Sequence, residues 1–428
     1  MSGAAGPPEG LRGNAGQRPA VPAVQGATYR ICLMHPMDPR GGKLGGIETH
    51  VRLILRRHPG DFRVLFVGVD EMGDCTLGAI TRVPMGGRMI DFLPVAHIGG
   101  NAINLAGKTI TGSTTFRFAT GALRHLMAIR KALKGSTASA DLQRFEFAIL
   151  PKLMGLKNIQ MVHGEGSKDE KMDSLIKAYW VVHRFNEKLA LALASRILCV
   201  NPNILNRMQR EYPKAARKAE VMSVSVDTLQ FQARPFDCAD GVFRIMFAGR
   251  LDEFKDPPLM FRVLGALHAQ LSGRLEFHYA GTSDPHRYLE FAAIETFTTR
   301  HGFLSAEGVA ALAARCHAGI LTSFFEGMPC YLLETLASGR PFAAIRLPQY
   351  DPLVVAGISG FLVERTDPDA ACAAALVAAF VKLWEQIQSG AIDPVQVHAK
   401  ALPFSVENQM ARLFAHHRQL QGGPALSA

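Results

Sequence analysis

Two glutamates, Glu326 and Glu334, stand with seven residues between them in a run that begins Ser323-Phe324-Phe325-Glu326-Gly327-Met328-Pro329-Cys330 and ends Ala337-Ser338-Gly339-Arg340-Pro341. The run follows a short apolar segment and reads as strand, loop and helix. Pro329 suits the first turn of that helix, and Gly327 lets a ligand approach the backbone. Free backbone N–H groups at such a helix start favour a phosphate. Glu326 on the loop and Glu334 within the helix can then face the same ligand, one holding a sugar hydroxyl and the other a ribose. A loop acid and a helix-surface acid that merely face solvent are the plainer alternative for any pair of glutamates.

A second group of charges strengthens the first. Phe247-Ala248-Gly249-Arg250-Leu251 and then Lys255 follow an apolar segment directly, so two cations are expected at the carboxyl end of a strand. Arginine offers a planar fork and lysine a point charge, a combination suited to a diphosphate and to the charge it develops on leaving. Asp252, Glu253 and Asp256 are near enough in sequence to pair with them instead. In the first half of the chain, His163 ends the segment 159–163 and precedes Gly164-Glu165-Gly166, which puts it at the mouth of a loop.

These residues need a scaffold that gathers strand ends. Apolar runs of strand length alternate with helical patterns from residue 29 onward, predicting strands over 29–34, 62–69, 91–95, 159–163 and 196–200 with helices over 49–57 and 178–194 between them. A second series covers 243–248, 276–280, 319–322, 341–345 and 361–363. The rhythm implies an α/β fold of two tandem parallel-sheet domains, whose ligands bind beyond the carboxyl ends of the strands. The domain limits read as 29–228 and 229–403, with the linker near 223–240. A terminal amphipathic helix over 404–420 could pack back on the first domain, and 1–28 and 421–428 read as tails.

The 428 residues are 48% hydrophobic and 20% charged, which excludes wholesale disorder, collagen and disulfide-scaffold classes. Seven well-separated cysteines without a C-x-x-C spacing fit reduced thiols in a cytoplasmic compartment. Residues 1–28 lack the apolar core of a signal peptide, and the alanine-rich run 370–381 is too short to span a bilayer. The net charge of +10 divides unevenly: 31 Lys+Arg against 18 Asp+Glu over residues 1–228, and 16 against 19 over 229–428. A basic half points to an acidic small molecule, an anionic membrane surface or nucleic acid. Nucleic acid ranks last, since aromatics do not interleave with the basic clusters. The stretch 121–134 reads as one basic amphipathic helix, either resting on anionic lipid or simply packed on the sheet. Asp367-Pro368-Asp369 reads as a helix cap rather than a metal motif, and His416-His417 has the wrong spacing for a metal on a helix.

From about residue 30 to 420 the chain resembles the retaining glycosyltransferases of family 4, which have the GT-B architecture of two Rossmann-like domains facing a cleft. The most specific element is Glu326 and Glu334 in Glu-Gly-Met-Pro followed by Ala337-Ser338-Gly339-Arg340-Pro341. Around it stand Gly249-Arg250-Leu251 with Lys255, His301-Gly302-Phe303 before a helix over 307–315, and Gly357-Ile358-Ser359-Gly360-Phe361. The first half supplies Gly45-Gly46-Ile47-Glu48-Thr49-His50-Val51, Val162-His163-Gly164 and Ser225-Val226-Asp227. Members often show Pro-Asn-Gly before the Val-Asp, where this chain has Ser223-Val224-Ser225.

The resemblance implies transfer of a sugar from a nucleoside-diphosphate sugar to a carbohydrate or lipid-linked acceptor, with retention and without a metal or other cofactor. It implies that Arg250 and Lys255 bind the diphosphate, Glu334 the ribose and Glu326 the transferred sugar. The backbone of Gly327, Met328, Pro329 and Cys330 would lie at the phosphates, His163 at the sugar, and Gly45 and Gly46 near donor or acceptor. A sugar phosphorylase or epimerase on the same architecture, or a non-catalytic nucleotide-sugar-binding relative, remains the alternative. Work in cell-envelope glycan synthesis on the inner face of the membrane is the expected setting.

Overall fold

The computed structural model describes residues 29–43, 45–99, 103, 112–164, 180–367 and 369–423. The front tail, most of the last tail, Glu165, Gly166 and Pro368 therefore lie outside the described residues.

Two sheets form. The first joins β1 (Tyr29–Met34), β2 (Phe62–Asp70), β3 (Thr81–Met85), β4 (Arg88–His97), β5 (Ala138–Leu142), β6 (Lys157–Val162), β7 (Arg196–Cys199) and β8 (Ala219–Val221). Their order is β3-β4-β2-β1-β5-β6-β7-β8, parallel except for the β3–β4 hairpin. The second joins β9 (Phe243–Ala248), β10 (Leu275–Ala280), β11 (Thr298–Gly302), β12 (Ala318–Leu321), β13 (Phe342–Ile345) and β14 (Gly360–Val363) in the order β11-β10-β9-β12-β13-β14, all parallel. Helices cover both faces, so the central strands are apolar on both sides, as β1 and β9 show with Ile31, Cys32, Leu33, Ile245, Met246 and Phe247 all buried.

The expected strands are present, β1 and β9 with the same ends and the others shifted by up to three residues, and His163 falls one residue past β6 rather than on it. Sequence reading missed β3, β5, β8 and β11. Each is only three to five residues long, and β5 (Ala-Ser-Ala-Asp-Leu) carries polar residues that pack inside. Three corrections concern helices. The stretch 121–134 is not one helix: Thr114–Arg124 and Leu126–Leu133 meet at His125, and Ile129 and Leu133 turn inward while Leu123 and Met127 face outward. Pro329 is the residue before the helix Cys330–Ala337 rather than part of its first turn. The alanine-rich run belongs to a 20-residue helix, Asp369–Gln388, with mean hydropathy 1.5, long and apolar enough to cross a membrane by length and composition. Its inward face is nonetheless occupied, with Phe380 and Trp384 packed on Phe243 of β9.

The chain passes between the two sheets at two adjacent places. Val226 pairs with the Phe404–Val406 segment through two backbone hydrogen bonds of 2.9 Å, and Asp227 forms an ion pair with Arg57. Beyond this crossing the helix Val406–Leu420 lies on the first sheet. Phe414 meets Phe62 edge-on, and Arg418 pairs with Asp61 at 2.8 Å. Close by, Arg340 is fully buried. Its guanidinium donates to the carbonyls of Ala313, Ala314, Arg234 and Pro235 and stacks over Phe236, tying the incoming linker to the second sheet.

Candidate functional site

Between the sheets runs a cleft of about 720 Å³. All the expected site residues line it: Gly45, Gly46 and His163 from the first-sheet side, and Arg250, Lys255, Glu326, Gly327, Met328, Pro329, Cys330 and Glu334 from the second. They are brought together because each follows a parallel strand or opens the helix after it.

Glu326 and Lys255 form the centre. The Lys255 ammonium donates to Glu326 Oε1, which also accepts from the Ser323 hydroxyl at 2.8 Å. The Glu326 carbonyl takes the Gln349 amide at 2.7 Å, so both ends of this residue are held. Arg250 is half exposed and pairs with Asp252 at 2.9 Å, while Asp256, a competitor on sequence grounds, caps the helix Pro257–Gln270 and pairs with Arg365.

Glu334 behaves differently. No hydrogen bond holds its carboxyl among the described residues, and burial pushes it up to about 7. In the unfolded chain it ionises near 4.5, so the folded state keeps a proton that the unfolded state has lost across this window. The stability owed to this group is full below pH 4.5 and is lost as pH rises through 7, up to about 3 kcal/mol. Glu334→Gln should therefore flatten the decline in stability between pH 5 and 8 measured by urea unfolding of the unliganded protein; an unchanged wild-type-to-variant difference across that range would count against it. Buried His35 and His50, each held down to about 4 by desolvation, bend both curves the other way below pH 6.5, and the difference cancels them.

Close approach explains two glycines. A Cβ on Gly327 would lie 2.0 Å from the His163 carbonyl, and one on Gly45 would lie 2.2 Å from Glu48 Oε2. The Gly327 carbonyl accepts from Asn201 Nδ2 at 2.7 Å, and Asn201 is itself fixed by capping the helix Pro202–Glu211. Cys330 Sγ reaches the Gly46 carbonyl at 3.4 Å. The two walls thus touch at the cleft floor. On the first-sheet side Glu48, buried, pairs with His35 at 2.9 Å and Lys43 at 3.4 Å below the Gly45-Gly46 turn. Asp70, Asp74 and Cys75 come close enough together to suggest a metal, but the Arg40 guanidinium already sits among them with both carboxylates as partners.

Sequence reading missed Asn201, Ser323, Gln349 and Gln143. The strand-end rule would have found Asn201, which follows β7, and Gln143, had β5 been recognised. Ser323, two residues past β12, falls under the same rule, and Gln349 carries no signal of its own.

Residues 242–381 match the family model described as glycosyl transferases group 1. Against solved structures, the whole arrangement of two sheets and cleft aligns with sucrose-phosphate synthase from Thermosynechococcus elongatus at a TM-score of 0.71 and 15% identity, over 92% of this chain and 99% of that one. The chain has the GT-B fold. Anabaena HepE, solved with UDP and glucose, aligns with this GT-B chain at 0.62 and 14% identity over 90% of it and 98% of HepE. The pneumococcal O-GlcNAc transferase GtfA, solved with UDP and GlcNAc, aligns at 0.62 and 12% over 92% and 99%. A stretch of 93 residues is 31% identical to the GalNAc-alpha-(1->4)-GalNAc-alpha-(1->3)-diNAcBac-PP-undecaprenol alpha-1,4-N-acetyl-D-galactosaminyltransferase of Campylobacter jejuni. That match covers 22% of this chain and spans about a quarter of the relative's length, 26%.

Proposed function

We propose that this GT-B chain is a retaining glycosyltransferase that moves a sugar from a nucleoside-diphosphate sugar to an acceptor hydroxyl. The observation that carries the reading is the Lys255–Glu326 pair beside the uncapped start of helix Cys330–Ala337, in the same cleft as Arg250, Glu334 and His163. In this reading Arg250 and Lys255 take the diphosphate and neutralise it as it leaves. Glu334 takes the ribose hydroxyls. Glu326, released from Lys255 by the incoming diphosphate, accepts a hydroxyl of the transferred sugar. Attack comes from the face the diphosphate leaves, with a leaving-group oxygen taking the acceptor's proton, so we assign no protein nucleophile and no metal.

We further assign donor binding to the half built on the second sheet and acceptor binding to the basic half built on the first. The uridine diphosphate in HepE and GtfA makes UDP-sugars the first donors to test, and the undecaprenol-linked substrate in the Campylobacter relative's name favours a lipid-linked acceptor. Exposed Leu123 and Met127 stand beside Arg124, Arg130 and Lys131 on one side of the first half, a combination suited to an anionic lipid surface. One experiment tests the reading. Purified protein is mixed with UDP-sugars and a polyprenyl-diphosphate-linked glycan in vesicles, anionic or neutral, and the product's anomeric configuration is read by NMR. Transfer with retention, faster on anionic vesicles, is expected. Inversion overturns the mechanism, equal rates on both vesicles overturn the surface, and donor binding without any UDP release overturns the activity.

A further inference from the structure

His163 does not end in the cleft wall; it begins a chain of buried polar side chains that leads to the terminal helix. His163 Nε2 lies 2.7 Å from Gln143 Oε1, and the Gln143 amide nitrogen donates to Asp141 Oδ1. Asp141 Oδ2 lies 3.2 Å from His417 Nε2, and His417 Nδ1 lies 2.8 Å from the Ser139 hydroxyl, which accepts from the Gln421 amide at 2.7 Å. Ser139, Asp141, Gln143 and His417 are all 3% exposed or less.

The donors and acceptors run in one consistent direction. A carboxylate only accepts, so Asp141 takes the Gln143 N–H on one oxygen and the His417 Nε2–H on the other. With its nitrogen spent on Asp141, Gln143 must turn its oxygen to His163, and His163 must carry its proton on Nε2. His417 Nδ1 is then left to accept from Ser139, whose oxygen takes Gln421. Every member is satisfied, as a buried network requires.

We infer that Asp141, Gln143 and His417 are positioning residues that hold His163 in the Nε2–H tautomer with Nδ1 as its lone-pair atom, so that a carboxylate held by the helix Val406–Leu420 sets the chemistry of a histidine in the cleft. The functional part of this inference rests on the proposed glycosyltransferase reading; the tautomer part does not. Groups facing His163 from the neighbouring elements are His50, edge-on with ring centroids 6.0 Å apart, His35 with its partner Glu48, which Lys43 also pairs, and Arg144.

Asp141→Asn tests it. An asparagine that presents its amide nitrogen to Gln143 makes that side chain flip, aim an N–H at His163 and drive the ring proton to Nδ1. Nitrogen-15 NMR of histidine-labelled protein, with the His163 signal assigned by its loss in His163→Ala, should report Nε2–H in the parent and Nδ1–H in Asp141→Asn. UDP release from UDP-glucose should fall roughly tenfold to hundredfold in kcat with little change in KM. The double variant Asp141→Asn with Gln143→Glu restores the direction, since the new amide donates to the new carboxylate and that carboxylate accepts from His163. It should recover the Nε2–H signal and most of the lost rate, and its pH–rate profile should gain a limb from the carboxylate beside His163. An unchanged tautomer in Asp141→Asn, or a rate loss that follows the thermal midpoint and is not restored in the double variant, overturns the inference. If Asp141→Asn does not fold, His417→Gln, which keeps a donor to Asp141, must retain Nε2–H, and loss of that signal overturns the inference. A shifted tautomer with no change in rate would uphold the positioning and instead count against a role for His163 in turnover.

Discussion

Lys255→Ala and Glu326→Ala should each lower turnover roughly a hundredfold to a thousandfold while leaving the protein folded. The two side chains are partners in the unliganded cleft, so each variant does two things. Removing Lys255 takes away one of the two cations proposed to hold the diphosphate and leaves Glu326, 9% exposed, with only the Ser323 hydroxyl. Removing Glu326 leaves an ammonium with no carboxylate, free to hold a nucleotide tightly but with nothing opposite it to orient the sugar. The effects should therefore split: Lys255→Ala weakens nucleoside diphosphate binding, whereas Glu326→Ala keeps it within a few-fold and loses kcat. Folding should survive in both, because the Gln349 amide still holds the backbone carbonyl at position 326 and the Thr322 hydroxyl still reaches the Lys255 carbonyl at 2.7 Å. Calorimetric titration with UDP beside a UDP-release assay separates the two. Near-parental turnover in either variant would remove that residue from the proposed mechanism.

Arg340→Ala is expected to be the most destabilising single change, costing roughly 3–5 kcal/mol. The side chain is large and fully buried, and truncation takes a donor from four carbonyls in a space too enclosed for easy hydration: Ala313 keeps only the Cys316 N–H, while Ala314, Arg234 and Pro235 lose the guanidinium. It also removes the cation stacked on Phe236 at 4.6 Å. Burial already pulls the guanidinium down to about 10, in keeping with a charge that no carboxylate accompanies. Arg340→Lys should recover little, since one ammonium cannot span carbonyls that come from two separate segments. Urea unfolding checks this; a loss under 1 kcal/mol for the alanine variant would show that the linker is held by other means.

The GT-B architecture was legible wherever strands were long and apolar, as in β1, β2 and β9, and wherever chemistry sat in the loop that follows an apolar strand. Arg250, Lys255, Glu326 and His163 were found that way, and Arg340 stood in a motif without its structural task being visible. What stayed hidden depends on sequence-distant partners. Asp141 and Gln143 sit on and just after a five-residue strand whose polar residues argue for a loop until a helix some 270 residues later covers them, as the 3.2 Å contact to His417 shows. His417 itself read only as an unpromising metal ligand. The break at His125 was equally invisible, because the apolar spacing of 121–134 is continuous through it and only the burial of Ile129 and Leu133 against exposed Met127 shows the change of direction.

The return of helix Val406–Leu420 to the first sheet also bears on biosynthesis. Asp61, Phe62, Ser139 and Asp141 leave the ribosome 276 to 357 residues before their partners Arg418, Phe414, His417 and Gln421. Once β8 has been synthesised, the nascent first half waits roughly ten seconds or more at ordinary elongation rates with one apolar face and a row of buried polar groups uncovered. An uncovered face of this kind favours association between unfinished chains. The +13 excess over residues 1–228 then keeps an unfinished sheet apart from other copies of itself before it serves any substrate.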